Sequence, residues 1–478
     1  MQKTLINRKP DLSISDRSKL ALKAFVMNLT RQIARVFSGR ADLSAKLPRT
    51  ATDLGSATRS GCGDVQCLSI IWTWPQGSTF FSGIVFAWPG AGSFGPQGSV
   101  NCMYINLSLF CRAEYLSLCK TRFSIRRWAY IFFFTVLYWI MWLIIAFGRM
   151  LDHVFFPGFR KQKVAAPVFI VAPPRSGTTL TQKLMSMDDE RFVHSKLYQT
   201  IFPCICYQRC FDAVGWLDRV TGRPMTKLVG WAEKRFFGGW DDMHKMRFDQ
   251  PEEDDGFFVY SFVTEAIFLL FPHVDELWEA GFPDALIPEK RRKLMNYYRS
   301  CLQRQLYANG PDKTILSKAT QSSGAVESLL EAFPDARFIT IVRHPYKSVA
   351  SHVSVFYPVW QAHSPDIAKD GPVSKSYARL AVKWFRHLFE FRSKVMPAQY
   401  YCIDYRDLTK DPRSTLEKLY EHFGWKMSDA FHAKLTAATE KQRDFKSSHN
   451  YTLEEFGLSK EWIQEELGPL LDHYALPR

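Results

Sequence analysis

Val168-Phe169-Ile170-Val171-Ala172-Pro173-Pro174-Arg175-Ser176-Gly177-Thr178-Thr179-Leu180 is the stretch whose reading decides the fold. Four β-favouring apolar residues run into a turn-forming Pro-Pro pair, and Leu180 and Leu184 then stand one helical turn apart. The pattern predicts strand, loop, helix. Such a loop sits at a helix N-terminus, where unpaired backbone N–H groups meet the positive end of the helix dipole, so an anion is its natural occupant. Gly177 permits close backbone approach. Thr178 and Thr179 supply hydroxyls beside Ser176, and Arg175 supplies a permanent charge able to fork onto phosphate oxygens. The loop is a relative of the Walker A motif without its GxxxxGK[ST] pattern, because no Lys precedes the Thr pair.

Outward from this loop the same alternation repeats. Lys313 to Lys318 reads as a strand, Ala319 to Gly324 as a loop, and Val326, Leu329, Leu330 and Phe333 as a helical apolar stripe. Arg337 to Val342 reads as a strand that delivers Arg343 to a sheet edge, and a helix starting near Pro345 presents Ser351 two turns later. Tyr400 to Tyr405 is a further strand, and the helix from Asp411 ends at Gly424. Pro251-Glu252-Glu253-Asp254-Asp255 reads as a helix start with carboxylates opposing the dipole in its first turn. Strands each followed by helices predict an α/β fold over residues 160–470: a three-layer, P-loop-like domain with a mostly parallel sheet.

The Pro-Arg-Ser-Gly-Thr-Thr loop resembles the 5′-phosphosulfate loop of the sulfotransferases. Arg343, followed eight residues on by Ser351, is similar to that family's 3′-phosphate segment. The tail His449-x-Tyr451-x-Leu453-Glu454-x-Phe456-Gly457 resembles its C-terminus, so the likeness covers about residues 165–470. The resemblance implies a transferase that moves a sulfuryl group from the donor substrate 3′-phosphoadenosine 5′-phosphosulfate to a hydroxyl or amine acceptor. Arg175, Ser176, Gly177, Thr178 and Thr179 would hold the phosphosulfate, Arg343 and Ser351 the 3′-phosphate, and Lys318 the bridging and sulfuryl oxygens. No metal is required by this arrangement.

The base is less well marked. The carboxylate that the family often carries shortly after the loop is missing, since His194, Ser195 and Gln199 stand there. His194 has the chemistry of a base. Glu253 and His244 are further candidates on the acceptor side. Cytosolic relatives carry a catalytic His just after the strand Lys, but this chain has Gln321 about there. The rival readings are a P-loop kinase or NTPase, which would need the absent Walker Lys, and a non-catalytic membrane scaffold, which would leave both anion loops unexplained.

The first third of the chain is of another kind. Residues 1–60 are basic and acid-poor, and residues 61–112 interrupt every period with Trp, Pro and Gly, so residues 1–125 read as an irregular N-terminal region. Tyr130 to Phe147 is then an uncharged apolar run. As a helix over 128–148 it would reach about 30 Å, the thickness of a bilayer core, which predicts a single membrane span. Lys120, Arg122, Arg126 and Arg127 on the N-terminal flank outweigh Arg149 and Asp152 on the other. That bias favours a cytoplasmic N-terminus and a C-terminal domain across the membrane, lumenal and Golgi-like in a eukaryote, with Asn450-Tyr451-Thr452 as a glycan acceptor. The net charge of +15 suits nucleotide, sulfated or anionic-membrane partners. Zinc-finger spacing, an RNP-like aromatic pattern and a long basic helix are all missing, which argues against nucleic acid. The 10 cysteines have neither zinc-ribbon nor CxxC spacing and read as free thiols.

Overall fold

The computed structural model describes residues 103–173, 175–236, 250–318, 321–442 and 451–478. His244 and Asn450 lie outside these residues. Five strands form one sheet: β1 (Val168–Val171), β2 (Phe192–Val193), β3 (Thr314–Lys318), β4 (Arg337–Val342) and β5 (Tyr400–Asp404). Their order is β2-β3-β1-β4-β5 and every pairing is parallel. The strands read from apolar runs are all present, whereas β2, two residues long, was not legible from its sequence. The α/β expectation holds.

β1 is buried along its whole length, as a strand covered on both faces must be. Side chains alternate across it. Val168 and Ile170 enter one core with Leu316, Ile339, Leu416 and Leu419, and Phe169 and Val171 enter another with Tyr298, Leu302, Leu329 and Phe338. The sheet is thus the middle of three layers. Register sets the site: Ile170 is opposite Lys318 on one side, and Val171 is opposite Thr340 on the other. From β1 the chain moves to β2 and β3 on one flank and then crosses to β4 and β5 on the other. The crevice at the carboxyl edge between β1 and β4 is therefore the topological switch point, where open α/β sheets bind ligands.

Two local expectations give way to longer-range contacts. Pro251 to Asp255 is not the first turn of a helix: Pro251 bridges Lys196, the helix spans only Gly256–Val259, and the Asp255 side chain makes no cap bond. Within the stretch expected to be irregular, Leu107–Tyr115 is a helix whose first turn is capped by Asn106.

The apolar run lies within a 31-residue helix, Ile125–Phe155, longer than the predicted 128–148 because Ser124 caps it early and the last turns carry packed polar groups. One stripe faces inward: Arg127, Ile131, Tyr138, Ile145, Gly148, Arg149 and Asp152. Arg127 donates to both Asp366 carboxylate oxygens at 2.8 and 3.0 Å and to Ser364 Oγ at 2.7 Å. Asp152 accepts from Arg304 Nε at 2.8 Å and from the backbone N–H groups of Ile205 and Cys206, so it caps the Ile205–Val220 helix from another element. Arg304 also lies 3.9 Å over the Phe159 ring. Both ions of the Asp152–Arg304 pair are buried, so removing either leaves an uncompensated charge. Arg127 and Arg149, read from sequence as flank charges, are interior groups.

Candidate active site

The loop after β1 departs from ordinary backbone at two residues. Arg175 has φ 65° and Gly177 φ 94°, both in the left-handed region. That conformation strains a side-chain-bearing residue such as Arg175, which persists only because its surroundings hold it. At Gly177 space is lacking as well: a Cβ would stand 3.0 Å from Leu408 Cδ2 and 3.1 Å from Tyr405 Cδ2. Gly177 opens the Thr178–Met185 helix without a side-chain cap, which leaves the first N–H groups to the loop. Ser176 is wholly buried, and its Oγ has no hydrogen-bond partner. A buried hydroxyl left so is costly unless something at the loop completes it.

Across the switch point the two predicted phosphate segments meet. Arg175 Nε donates to Ser351 Oγ at 3.2 Å, and Arg343 Nη1 donates to the Arg175 carbonyl. The Arg343 guanidinium lies 4.5 Å over the Tyr405 ring. Burial pulls the Arg343 pKa below its ordinary value, Tyr405 opposes that, and the neighbouring Arg175 adds to the fall. The group stays charged at any working pH. Among the described residues neither Arg175 nor Arg343 pairs with a carboxylate, so two adjacent guanidinium groups share one crevice.

The other side of the loop is built from the end of β3. Lys318, 1% exposed, donates from Nζ to Thr179 Oγ1 at 2.9 Å and pairs with Glu253 Oε1 at 2.5 Å, while Glu253 keeps 26% of its side chain exposed. Glu253 is held there by its neighbours. Glu252 N–H donates to the Ser195 carbonyl, Gln182 Nε2 to the Glu252 carbonyl, and Asp254 N–H to the Lys318 carbonyl. Strand alternation separates the next two groups: Lys318 turns toward Thr179, and Ser317 turns to the opposite face. There Ser317 Oγ and Tyr298 Oη donate to the Asp254 carboxylate at 2.9 and 2.6 Å. Burial lifts the Asp254 pKa to about 6, although both hydroxyls pull it down. Glu253 and Asp254, assigned from sequence to helix capping, thus serve β3 instead.

His194, just after β2, is not joined to this group. Its Nδ1 is buried without a hydrogen-bond partner, and it is the His194 carbonyl, not the ring, that accepts from Gln305 Nε2. Burial, followed by the nearby Lys196, pushes the ring pKa down to about 4. Sequence reading also passed over Tyr405, Tyr298 and Ser317 as site residues and took Asp254 for a capping carboxylate. Only Tyr405 carried a signal, its place at the end of a strand.

An open helix N-terminus with a buried unpartnered hydroxyl, a glycine cradle and two guanidinium groups fits a polyanionic ligand, and the sheet topology puts them at the crevice where open α/β sheets bind ligands. The model of the sulfotransferase family matches residues 167–429, and the chain belongs to that family; it is a sulfotransferase, an enzyme that transfers sulfur-containing groups. Over 372 residues it is 24% identical to the omega-hydroxy-beta-dihydromenaquinone-9 sulfotransferase Stf3 of Mycobacterium tuberculosis and of Mycobacterium bovis, covering 76% of this chain and 88% of those proteins. The crystal structure of sulfotransferase STF9 from Mycobacterium avium matches with a TM-score of 0.54 at 18% identity, over 80% of this chain and 99% of that one, and has the same fold.

Proposed function

We propose that the protein moves a sulfuryl group from 3′-phosphoadenosine 5′-phosphosulfate to a hydroxyl on an apolar acceptor, and that it works at a membrane. The observation that carries the donor reading is the convergence of Arg175, Arg343 and Ser351 at the β1–β4 switch point, one loop away from the Lys318–Glu253 pair. The N–H groups and hydroxyls of Ser176, Gly177, Thr178 and Thr179 take the phosphosulfate, and Arg343 and Ser351 take the 3′-phosphate. In the transfer step the acceptor oxygen attacks sulfur, the bond from sulfur to the bridging oxygen breaks, and its electrons stay on the 5′-phosphate. Lys318 and the loop N–H groups stabilise that leaving oxygen, and Glu253 takes the acceptor's proton. Catalysis is then positioning plus charge stabilisation. Glu253 is preferred to His194 as base because it touches Lys318 and the His194 ring does not.

Two observations support an apolar acceptor and a membrane location. The relatives are named for omega-hydroxy-beta-dihydromenaquinone-9, a hydroxylated quinone. The Ile125–Phe155 helix is long and apolar enough to cross a bilayer. The test is sulfur-labelled donor incubated with purified full-length protein and hydroxylated quinones, prenyl alcohols and water-soluble alcohols. Label should move to an apolar alcohol and should fail to move with Lys318→Ala. No transfer to any acceptor by a folded, donor-binding protein would overturn the proposal.

A further inference from the structure

The Ile125–Phe155 helix is tied to the catalytic domain along its whole length. Arg127 is held by Asp366 and Ser364 near one end, Tyr138 Oη donates to the Tyr260 carbonyl at 3.1 Å in the middle, and Asp152 holds Arg304 near the other end. At about 1.5 Å per residue, Arg127 and Asp152 are about 38 Å apart along the axis, more than the bilayer core of about 30 Å. A helix that crossed the bilayer in this setting would draw the domain flank in with it. That flank includes Glu114, which accepts from Thr135 about 12 Å along the axis from Arg127 and so inside the core, a carboxylate that hydrocarbon does not tolerate.

The opposite face of the helix is apolar and, among the described residues, unpartnered: Phe132, Phe133, Val136, Leu137, Ile140, Leu143, Ile144 and Phe147 are all exposed. Beside it lies the Ile205–Val220 helix, whose Tyr207 ring packs on Gly148 and whose Tyr207 Oη donates to the Ile144 carbonyl. That helix and the following Pro224–Phe236 helix expose Phe211, Val214, Trp216, Leu217, Met225 and Trp231. Apart from Ile287 and Met396, every exposed large apolar side chain among the described residues lies between Tyr115 and Trp231. The exposed charges around the patch are mostly basic: Lys120, Arg122, Arg126, Arg160, Lys161, Arg209, Arg219, Arg223 and Lys227, with Asp212 and, paired with Arg127, Asp366 among them.

We propose that this face docks on a single leaflet of an anionic bilayer, with the Ile125–Phe155 helix lying in the membrane plane and not crossing it. The proposal rests on the membrane reading above and specifies its geometry. Apolar side chains and Trp rings enter the headgroup boundary, and the basic rim meets anionic lipid. The charges flanking this helix then carry no orientation signal, since the helix does not cross.

The test uses full-length protein in two arms. In the first, Leu143→Glu with Phe147→Glu is compared with wild type in flotation on vesicles of phosphatidylglycerol and phosphatidylcholine. The floated fraction should fall at least tenfold while the thermal unfolding of the domain is retained. Failure of wild-type protein to float overturns membrane association itself, as does a stable dimer in its place. Undiminished flotation of the variant overturns this face as the contact. In the second arm, R122C and K163C are treated with a membrane-impermeant maleimide in sealed cell-membrane vesicles, and modification is mapped by mass spectrometry. In-plane docking requires both positions to react, or both to be protected, together. Reaction at one and protection of the other until detergent is added overturns the in-plane geometry and leaves membrane association standing.

Discussion

Glu253→Gln separates the two candidate bases. Glutamine keeps the size of the side chain and an oxygen that can still accept from Lys318 Nζ, now 2.5 Å from Glu253 Oε1, but it cannot take a proton. Loss of a positioned general base lowers turnover by about 10²- to 10⁴-fold, or roughly 3–5 kcal/mol of barrier. Donor affinity should stay within a few-fold, because Arg175, Arg343 and Ser351 make no bond to Glu253. His194→Gln should leave turnover within a few-fold. Its ring reaches neither Thr179 nor Lys318, and with a pKa near 4 it is a weak proton acceptor. The assay is single-turnover transfer of labelled sulfur at saturating donor, with donor affinity measured in parallel by calorimetry. Wild-type turnover in a folded Glu253→Gln protein, or a hundredfold loss in His194→Gln, would refute the assignment.

Other expectations follow from the packing. Asp152→Ala leaves Arg304 buried without its partner and strips the N–H groups of Ile205 and Cys206, so detergent-solubilised protein should lose about 3–5 kcal/mol of stability; an unchanged melting temperature would contradict the buried pair. Gly177→Ala forces a side chain into the left-handed region against Leu408 and Tyr405, and calorimetry should find donor binding weakened at least tenfold. The Asp254 pKa is raised by folding, so the folded state binds the extra proton: this contribution to stability is full below about pH 4 and fades as pH rises through about 6. Melting curves of wild type against Asp254→Asn across that window should show wild type losing relative stability as pH rises, and a difference that is flat with pH would count against it.

The parts legible in the sequence are those whose physics is local. β1, β3, β4 and β5 announce themselves as apolar runs. The loop from Arg175 to Thr179 is readable because glycine, hydroxyls and a guanidinium at a helix start have few other uses. Glu253 was readable as a candidate on the acceptor side but not as the partner of Lys318, which is brought to it by the order of strands and by the bridge between Lys196 and Pro251. Asp254 failed for the same reason: its local setting resembles a cap, and the hydroxyls of Tyr298 and Ser317 outbid that role from distant elements. The apolar helix was visible by composition. Its inward stripe was harder to read, because Arg127 and Asp152 look like boundary charges until Asp366 and Arg304 are seen against them.

The central claim is that the crevice between β1 and β4 binds a nucleotide carrying a separate 3′-phosphate. Calorimetry of wild-type protein with adenosine 3′,5′-bisphosphate and with adenosine 5′-monophosphate tests it directly. Each hydrogen bond to the extra dianion is worth roughly 1.5–3 kcal/mol, so the bisphosphate should bind about tenfold to a hundredfold more tightly per bond, and Arg343→Ala should erase most of the difference. Equal affinity of wild-type protein for the two nucleotides would contradict the account.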